Sequence, residues 1–182
     1  MVEREIKLRF PSVDAARDAV RRSGATPLRG RRLQEDCLLD TRDRSLIERE
    51  CVLRVRIEPG RTLLTFKGPL QRSLMKMREE LETEAGDSAV LLRILEELGF
   101  RVSFRYQKYR EEFAITDAIV TIDETPVGVF VEIEGSDAAI AAMTTRLGRT
   151  PDDYLLDSYR ALYLQHCGER GITATNMLFS TE

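Results

Sequence analysis

The sequence predicts an α+β protein in which about eight antiparallel strands close a barrel turned inside out, with charge in the lumen and apolar outer faces covered by short helices. Three observations predict it. Segments of period-two alternation recur along the chain, and their polar positions are nearly all fully charged residues of both signs, not the mixed Ser, Thr, Lys and Gln of a washed surface. Amphipathic stretches of helical spacing interrupt them and can cover the apolar faces. Closing about eight strands leaves room for side chains or one small ligand. The alternative is an antiparallel sheet whose polar face is simply solvated.

Residues 2–10 alternate strictly and read as the first strand. Ser12 follows as an N-cap, with Val13, Ala16 and Val20 at helical spacing and Gly24 as the stop. Residues 29–32 read as a loop, and 33–40, 51–58, 62–68 and 78–84 as strands; Gly60-Arg61 turns one hairpin, and 69–77 is a polar loop. Asp87 or Ser88 caps a second helix whose apolar face is Val90, Leu91, Ile94, Leu95 and Leu98, ended by Gly99 and read as core packing. Residues 100–115 read as one long strand, and 118–124 with 127–134 as a hairpin around Thr125-Pro126. A third helix spans 137–147, turning Ile140, Met143 and Leu147 inward, and a last one begins near Ser158. Residues 1–167 read as a single domain and 168–182 as a loose tail.

Alternation sorts the side chains. In the first strand Glu3, Glu5 and Lys7 share a face opposite Val2, Ile6, Leu8 and Phe10. Arg54 and Arg56 oppose Leu53, Val55 and Ile57; Lys67 opposes Leu64 and Phe66; Arg78, Glu80 and Glu82 share one face. Lys108 and Arg110 lie opposite Tyr109 and Phe113, and Glu132 and Glu134 lie opposite Val131 and Ile133, with Asp123 on the paired strand. These faces hold seven cations and seven carboxylates. Such a lumen is costly unless its charges pair or bind something. It suits a polyanion carrying divalent cations, with Arg and Lys on phosphate oxygens and carboxylates on Mg²⁺ or Mn²⁺. The one histidine, His166, reads as structural, and no His or Cys cluster points to zinc or iron.

The net charge of −3 argues against a nucleic-acid partner, which needs a basic footprint. Cys37, Cys51 and Cys167 are scattered and odd in number, so a disulfide framework is not expected and a reducing cytoplasm is the simplest home. The charged start, Met-Val-Glu-Arg-Glu, lacks the apolar segment of a signal peptide, and no apolar run reaches the roughly 18 residues of a membrane span.

Glu3-x-Glu5-x-Lys7 opens a series of motifs in a family's order. Gln34-x-Asp36 with Asp40-Thr41, Leu53-Arg54-x-Arg56 and Thr65-x-Lys67-Gly68-Pro69 follow, then Arg78-x-Glu80-x-Glu82, Lys108-x-Arg110, Asp123, Glu132-x-Glu134 and Ser158-Tyr159. Over about residues 1–165 the chain resembles a CYTH domain, the family of class IV adenylyl cyclases and thiamine triphosphatases, also called triphosphate tunnel metalloenzymes. The resemblance implies an eight-stranded antiparallel tunnel. It implies that Glu3, Glu5, Asp123, Glu132 and Glu134 carry Mg²⁺ or Mn²⁺. It implies that Lys7, Arg54, Arg56, Lys67 and Arg110 grip a triphosphate, joined by Arg78 and Lys108 and supported by Glu80 and Glu82. Arg54, Arg56 and Lys67 are its candidate catalytic residues. The implied activities are ATP cyclisation, with a slight lean from the Thr-x-Lys-Gly-Pro signature, and triphosphate hydrolysis; a non-catalytic polyphosphate or nucleotide-binding module is the third reading. The partner is a small-molecule triphosphate and the chain a monomer or homodimer. One departure stands out: Leu38 occupies the place of a family tyrosine, which puts a Lys–Tyr pair activating water in doubt, and Cys37 beside it reads as a packed thiol.

Overall fold

A computed structural model of the chain describes residues 2–71 and 74–180, the side chain of Val2 excepted. Eight strands, β1 (Val2–Phe10), β2 (Thr26–Asp40), β3 (Val52–Glu58), β4 (Arg61–Lys67), β5 (Lys76–Ala85), β6 (Arg101–Ile115), β7 (Ala118–Thr125) and β8 (Gly128–Gly135), close an antiparallel barrel in the order β1-β5-β4-β3-β2-β6-β7-β8. Five helices flank it: α1 (Val13–Arg22), α2 (Ser45–Glu48), α3 (Ser88–Glu97), α4 (Asp137–Arg146) and α5 (Tyr159–Arg170). None of the described helices is long and apolar enough to cross a membrane.

The oil lies outside the strands, as alternation requires. Ile6, Leu8, Val120, Ile122, Val131 and Ile133 pack against Ala16 and Val20 of α1 and Ile140 and Met143 of α4. Burying each such aliphatic side chain contributes roughly 1.5–3 kcal/mol, which fixes which face of β1, β7 and β8 turns out. Ser12, Asp87, Ser136 and Ser158 cap α1, α3, α4 and α5 through their side chains.

Several features depart from the sequence reading. Residues 29–32, expected as a loop, belong to β2, whose register against β6 shifts between Pro27 and Arg29 and again between Arg29 and Arg32. These bulges disguise the alternation. They also bring Arg29 (2.7 Å), Arg32 (2.9 Å) and Gln34 (2.7 Å) onto the buried Glu58 carboxylate, while Arg32 holds Glu112 as well. Helix α2 is too short to show periodicity; Asp40 holds it by accepting the backbone N–H groups of Leu46 (2.9 Å) and Ile47 (3.1 Å). Strand β5 begins at Lys76, within the expected loop. On α3 only Leu91, Leu92 and Leu95 pack inward; Val90, Ile94 and Leu98, expected in the core, are exposed.

The lumen is also not charged throughout. Phe104 and Tyr106 share the inward face of Lys108 and Arg110, and Phe130 that of Glu132. Tyr159 and Leu162 of α5 pack on these aromatic rings together with Met177, so α5 closes one end of the barrel. The last helix runs past 167 to Arg170, and the segment after it is anchored: Met177 is buried and exchanges backbone hydrogen bonds with Arg105 and Gln107.

Candidate active site

A cavity of about 930 Å³ fills the rest of the lumen. Of the fourteen charged residues read as lumen-facing, all but Asp123 line it. Asp123 is fully buried, bonded to Lys108, Arg110 and Tyr159, which do line it. The period of the strands is the cause: each lumen residue is two positions from the next, so the apolar faces, by burying themselves under α1, α3 and α4, drive the charges to one place.

Three clusters form there. Beside β4 and β5, Lys67 Nζ lies 2.6 Å from Glu3 Oε2 and 2.7 Å from Glu80 Oε2, and Lys76 Nζ donates to Glu5 Oε1 at 2.6 Å. Burial, the hydrogen bond with Glu80 and the charges of Glu5 and Glu80 outweigh the lowering by Lys67 and push the Glu3 carboxyl up to about 8, so the Glu3–Glu80 pair retains a proton near neutral pH.

On β2 and β3, the buried Asp36 accepts Arg56 Nε at 2.8 Å and Nη2 at 3.2 Å and sits 3.5 Å from Arg54 Nε. Arg54 Nη2 reaches Thr65 Oγ1 at 3.0 Å and lies 3.5 Å from Glu82 and 3.7 Å from Glu80. Burial would raise the Asp36 carboxyl, but the two guanidinium groups outweigh it and hold it at about 2. Glu58 is likewise held at about 2, burial being outweighed by the donors Gln34, Arg29 and Arg32. Both are depressed, so their stabilisation is complete above the unfolded values of 3.8 and 4.5 and is lost as pH falls toward 2. Thermal midpoints should therefore drop steeply from about pH 4.5 downward, and less so in Glu58→Gln; a flat acid limb in the unaltered protein contradicts these pairings.

On β6, β7 and β8, Asp123 accepts Lys108 Nζ (2.8 Å), Arg110 Nε (2.7 Å) and the Tyr159 hydroxyl (2.6 Å). Glu132 pairs with Lys7 at 3.0 Å and accepts Arg110. Burial and the facing Arg110 push the Lys108 ammonium down to about 8.

The carboxylate oxygens of Glu3, Glu5, Glu132 and Glu134 suit a hard divalent cation; the described lining holds no histidine and a single thiol, Cys51. Glu5 and Glu134 stand directly opposite on β1 and β8, and burial and the charge of Glu5 raise the Glu134 carboxyl, a crowding that a cation would relieve. Among the described residues no three His, Cys, Asp or Glu side chains are gathered as a metal centre; Glu3, Glu5 and Glu132 each hold a lysine. Arg78 lines the cavity, and its buried Nε finds no hydrogen-bond partner among the described residues.

Sequence reasoning missed Asp36 as the anchor of both arginines, and Lys76, which lay in the expected loop. It gave Tyr159 no role beyond the Ser158-Tyr159 motif; the hydroxyl donates to Asp123 and orders it. The Gln34-x-Asp36 spacing carried the first signal, since two inward residues of one strand must face whatever the barrel holds. Leu38 faces the cavity, whereas Cys37 is buried under α3 with its thiol pushed up to about 11 by burial, as expected of a packed cysteine.

A family model described as the CYTH domain matches residues 1–146. The chain belongs to the CYTH family. A Methanocaldococcus jannaschii protein whose name proposes an adenylate cyclase is 31% identical over 137 residues, covering 75% of this chain and 78% of that one. The solved structure of a Vibrio parahaemolyticus protein, also proposed as an adenylate cyclase, superposes with TM-score 0.78 at 21% identity over 89% of this chain and 97% of its own. A Hippeastrum protein proposed as an adenylyl cyclase and described as having a dominant triphosphatase activity superposes with TM-score 0.63 at 20% identity, over 94% and 97%. The CYTH match takes in the whole barrel and α4; α5, which closes one end of the lumen, lies beyond it.

Proposed function

We propose that this CYTH chain is a divalent-metal-dependent enzyme acting on a triphosphate, and that its reaction is conversion of ATP to cyclic AMP and pyrophosphate. The observation that carries the reading is the juxtaposition, in one cavity, of a carboxylate group on β1 and β8 (Glu3, Glu5, Glu132, Glu134) with cations on β3, β4, β5 and β6 (Arg54, Arg56, Lys67, Arg78, Lys108, Arg110). Neither set has reason to be buried alone.

Arg54 and Arg56 present planar guanidinium groups held in place by Asp36, and such groups bind phosphate oxygens bidentately. Arg78 and Lys67 add donors from β5 and β4, and Lys7, Lys108 and Arg110 from β1 and β6. Asp123, buried against Lys108 and Arg110, acts as a positioning residue for both. Glu3, Glu5, Glu132 and Glu134 would hold Mg²⁺ or Mn²⁺, which supplies charge neutralisation on the phosphates. In cyclisation the ribose 3′-oxygen bonds to the α-phosphorus, the bond from that phosphorus to the bridging oxygen of the β-phosphate breaks, and the hydroxyl proton is released. The cations stabilise the charge that gathers on the departing pyrophosphate.

Hydrolysis of inorganic triphosphate, thiamine triphosphate or a nucleoside triphosphate is the second reading, favoured by the triphosphatase activity described for the structurally similar Hippeastrum protein. The protein is incubated with Mg²⁺ or Mn²⁺ and each triphosphate, and cyclic AMP, pyrophosphate and phosphate are measured separately. Cyclic AMP with equimolar pyrophosphate is the expected result. Phosphate without cyclic AMP selects the hydrolase, and tight metal-dependent binding without turnover selects a binding module.

A further inference from the structure

Strand β6 is nearly twice as long as β7, and the mismatch gives the C-terminal segment its place. β7 pairs with β6 from Tyr109 to Ile115, so the same edge of β6 before Tyr109 runs beyond the reach of β7. Residues 176–179 lie there instead. Asn176 Oδ1 accepts the Arg105 N–H at 2.8 Å, the Met177 N–H donates to the Arg105 carbonyl at 2.9 Å, and the Gln107 N–H donates to the Met177 carbonyl at 2.8 Å. These bonds answer backbone groups that β7 is too short to meet. The Phe179 N–H reaches Gln107 Oε1 at 3.2 Å, and the Phe179 ring lies 5.1 Å from that of Tyr109. Met177, 1% exposed, is thereby held in the cluster that contains Tyr106, Phe130 and Tyr159.

Tyr159 holds more than a packing residue does. Its hydroxyl donates to Asp123 at 2.6 Å, and Asp123 also accepts Lys108 and Arg110. Its ring centroid lies 4.7 Å from Lys7 Nζ and 5.0 Å from Lys108 Nζ, within reach of a cation–π attraction to each. Lys7, Lys108 and Arg110 are the β1 and β6 cations of the cavity. We propose that Met177 and Tyr159 are positioning residues for these three cations. The tail segment seats Met177, Met177 fixes Tyr159 together with Tyr106 and Phe130, and Tyr159 sets the charged groups where phosphate oxygens meet them. Met177 is not among the residues that line the cavity, so it acts through its neighbours. The inference rests on the reading of the cavity as a triphosphate site. It places part of that site's support well past residue 146, where the CYTH match ends.

Titration calorimetry with inorganic triphosphate and Mn²⁺ reads the effect on binding. Met177→Ala and Tyr159→Phe are each expected to weaken the affinity about tenfold, and the two together also about tenfold, because one acts through the other. Met177→Leu, which keeps the volume, should stay within about twofold of the unaltered chain. Met177→Val replaces the alanine variant if that one fails to fold. A purely structural methionine would lower the thermal midpoint and leave the affinity alone. Unchanged affinity in Met177→Ala, or losses that multiply in the double variant, overturns the inference. Tetranitromethane tests the link between Met177 and Tyr159 without any triphosphate. It attacks the phenolate, and burial with the Asp123 charge raises the Tyr159 phenol well above its ordinary value. Peptide mass spectrometry should find Tyr159 unmodified in the unaltered chain and in Met177→Leu, and nitrated in Met177→Ala. Equal reactivity of Tyr159 in all three overturns the inference even where triphosphate binds. A chain that takes no triphosphate yet shows this nitration pattern ends the substrate reading and supports the inference, which concerns how the cations are held.

Discussion

Replacing Glu132 with glutamine is expected to lower turnover of the triphosphate substrate about 100-fold or more, as loss of a major electrostatic contributor does. Glu132 lies beside Lys7, its partner across the β1–β8 ladder, and also accepts Arg110, so it is the carboxylate that ties the β1 lysine to Arg110 of β6. Glutamine keeps the side-chain volume and one acceptor oxygen but removes the charge that a divalent cation needs. Alanine at this position would also leave the buried Lys7 short of a partner, so its effect mixes folding with chemistry. Glu5→Ala is the cleaner companion: Glu5 pairs with Lys76 near the start of β5, and its loss should reduce turnover by a similar factor with little change in thermal midpoint. Near-normal rates in both variants, measured at saturating metal and substrate, would end the assignment of these carboxylates.

Asp123→Asn carries the largest expected loss of stability, about 3–5 kcal/mol, because one buried carboxylate answers Lys108, Arg110 and the Tyr159 hydroxyl together. The asparagine amide presents a donor where three donors converge, leaving the buried Lys108 without its carboxylate and Arg110 with Glu132 alone. For a chain of this size the thermal midpoint should fall by about 10 °C or more. The companion substitution Lys108→Met should recover part of that loss by removing one stranded charge. A change below about 1 kcal/mol by urea denaturation would mean that the buried network does not hold in solution.

The inside-out barrel was legible because burial acts on alternate residues. In β1, β3 and β8 the sequence Glu-x-Glu-x-Lys, Arg-x-Arg or Glu-x-Glu is interleaved with Ile, Leu and Val, and only one orientation of each strand avoids burying charge under a helix. The parts not legible lack a period. The bulges of β2 displace Arg29 and Arg32 from strict alternation, and α2 is held by one Asp40 carboxylate instead of an apolar stripe. The closure by α5 joins Phe104, Tyr106 and Phe130 to Met177 across long separations that no local pattern records. On α3 hydrophobicity was read as burial, yet a helix one layer thick on a sheet buries only one flank, and Val90, Ile94 and Leu98 lie off it. Within the site, residue types that bind phosphate and metal were plain from the sequence. What it hid was which partner restrains each one, as Asp36 does Arg54 and Arg56.

The most direct test of the account is anomalous diffraction from crystals grown with Mn²⁺ and a non-hydrolysable triphosphate. The account predicts manganese against the carboxylates of Glu5 and Glu134, with phosphate oxygens on Arg54, Arg56 and Arg78. Manganese and triphosphate bound only outside the barrel, or a lumen whose lysine–carboxylate pairs persist unchanged in their presence, would contradict it.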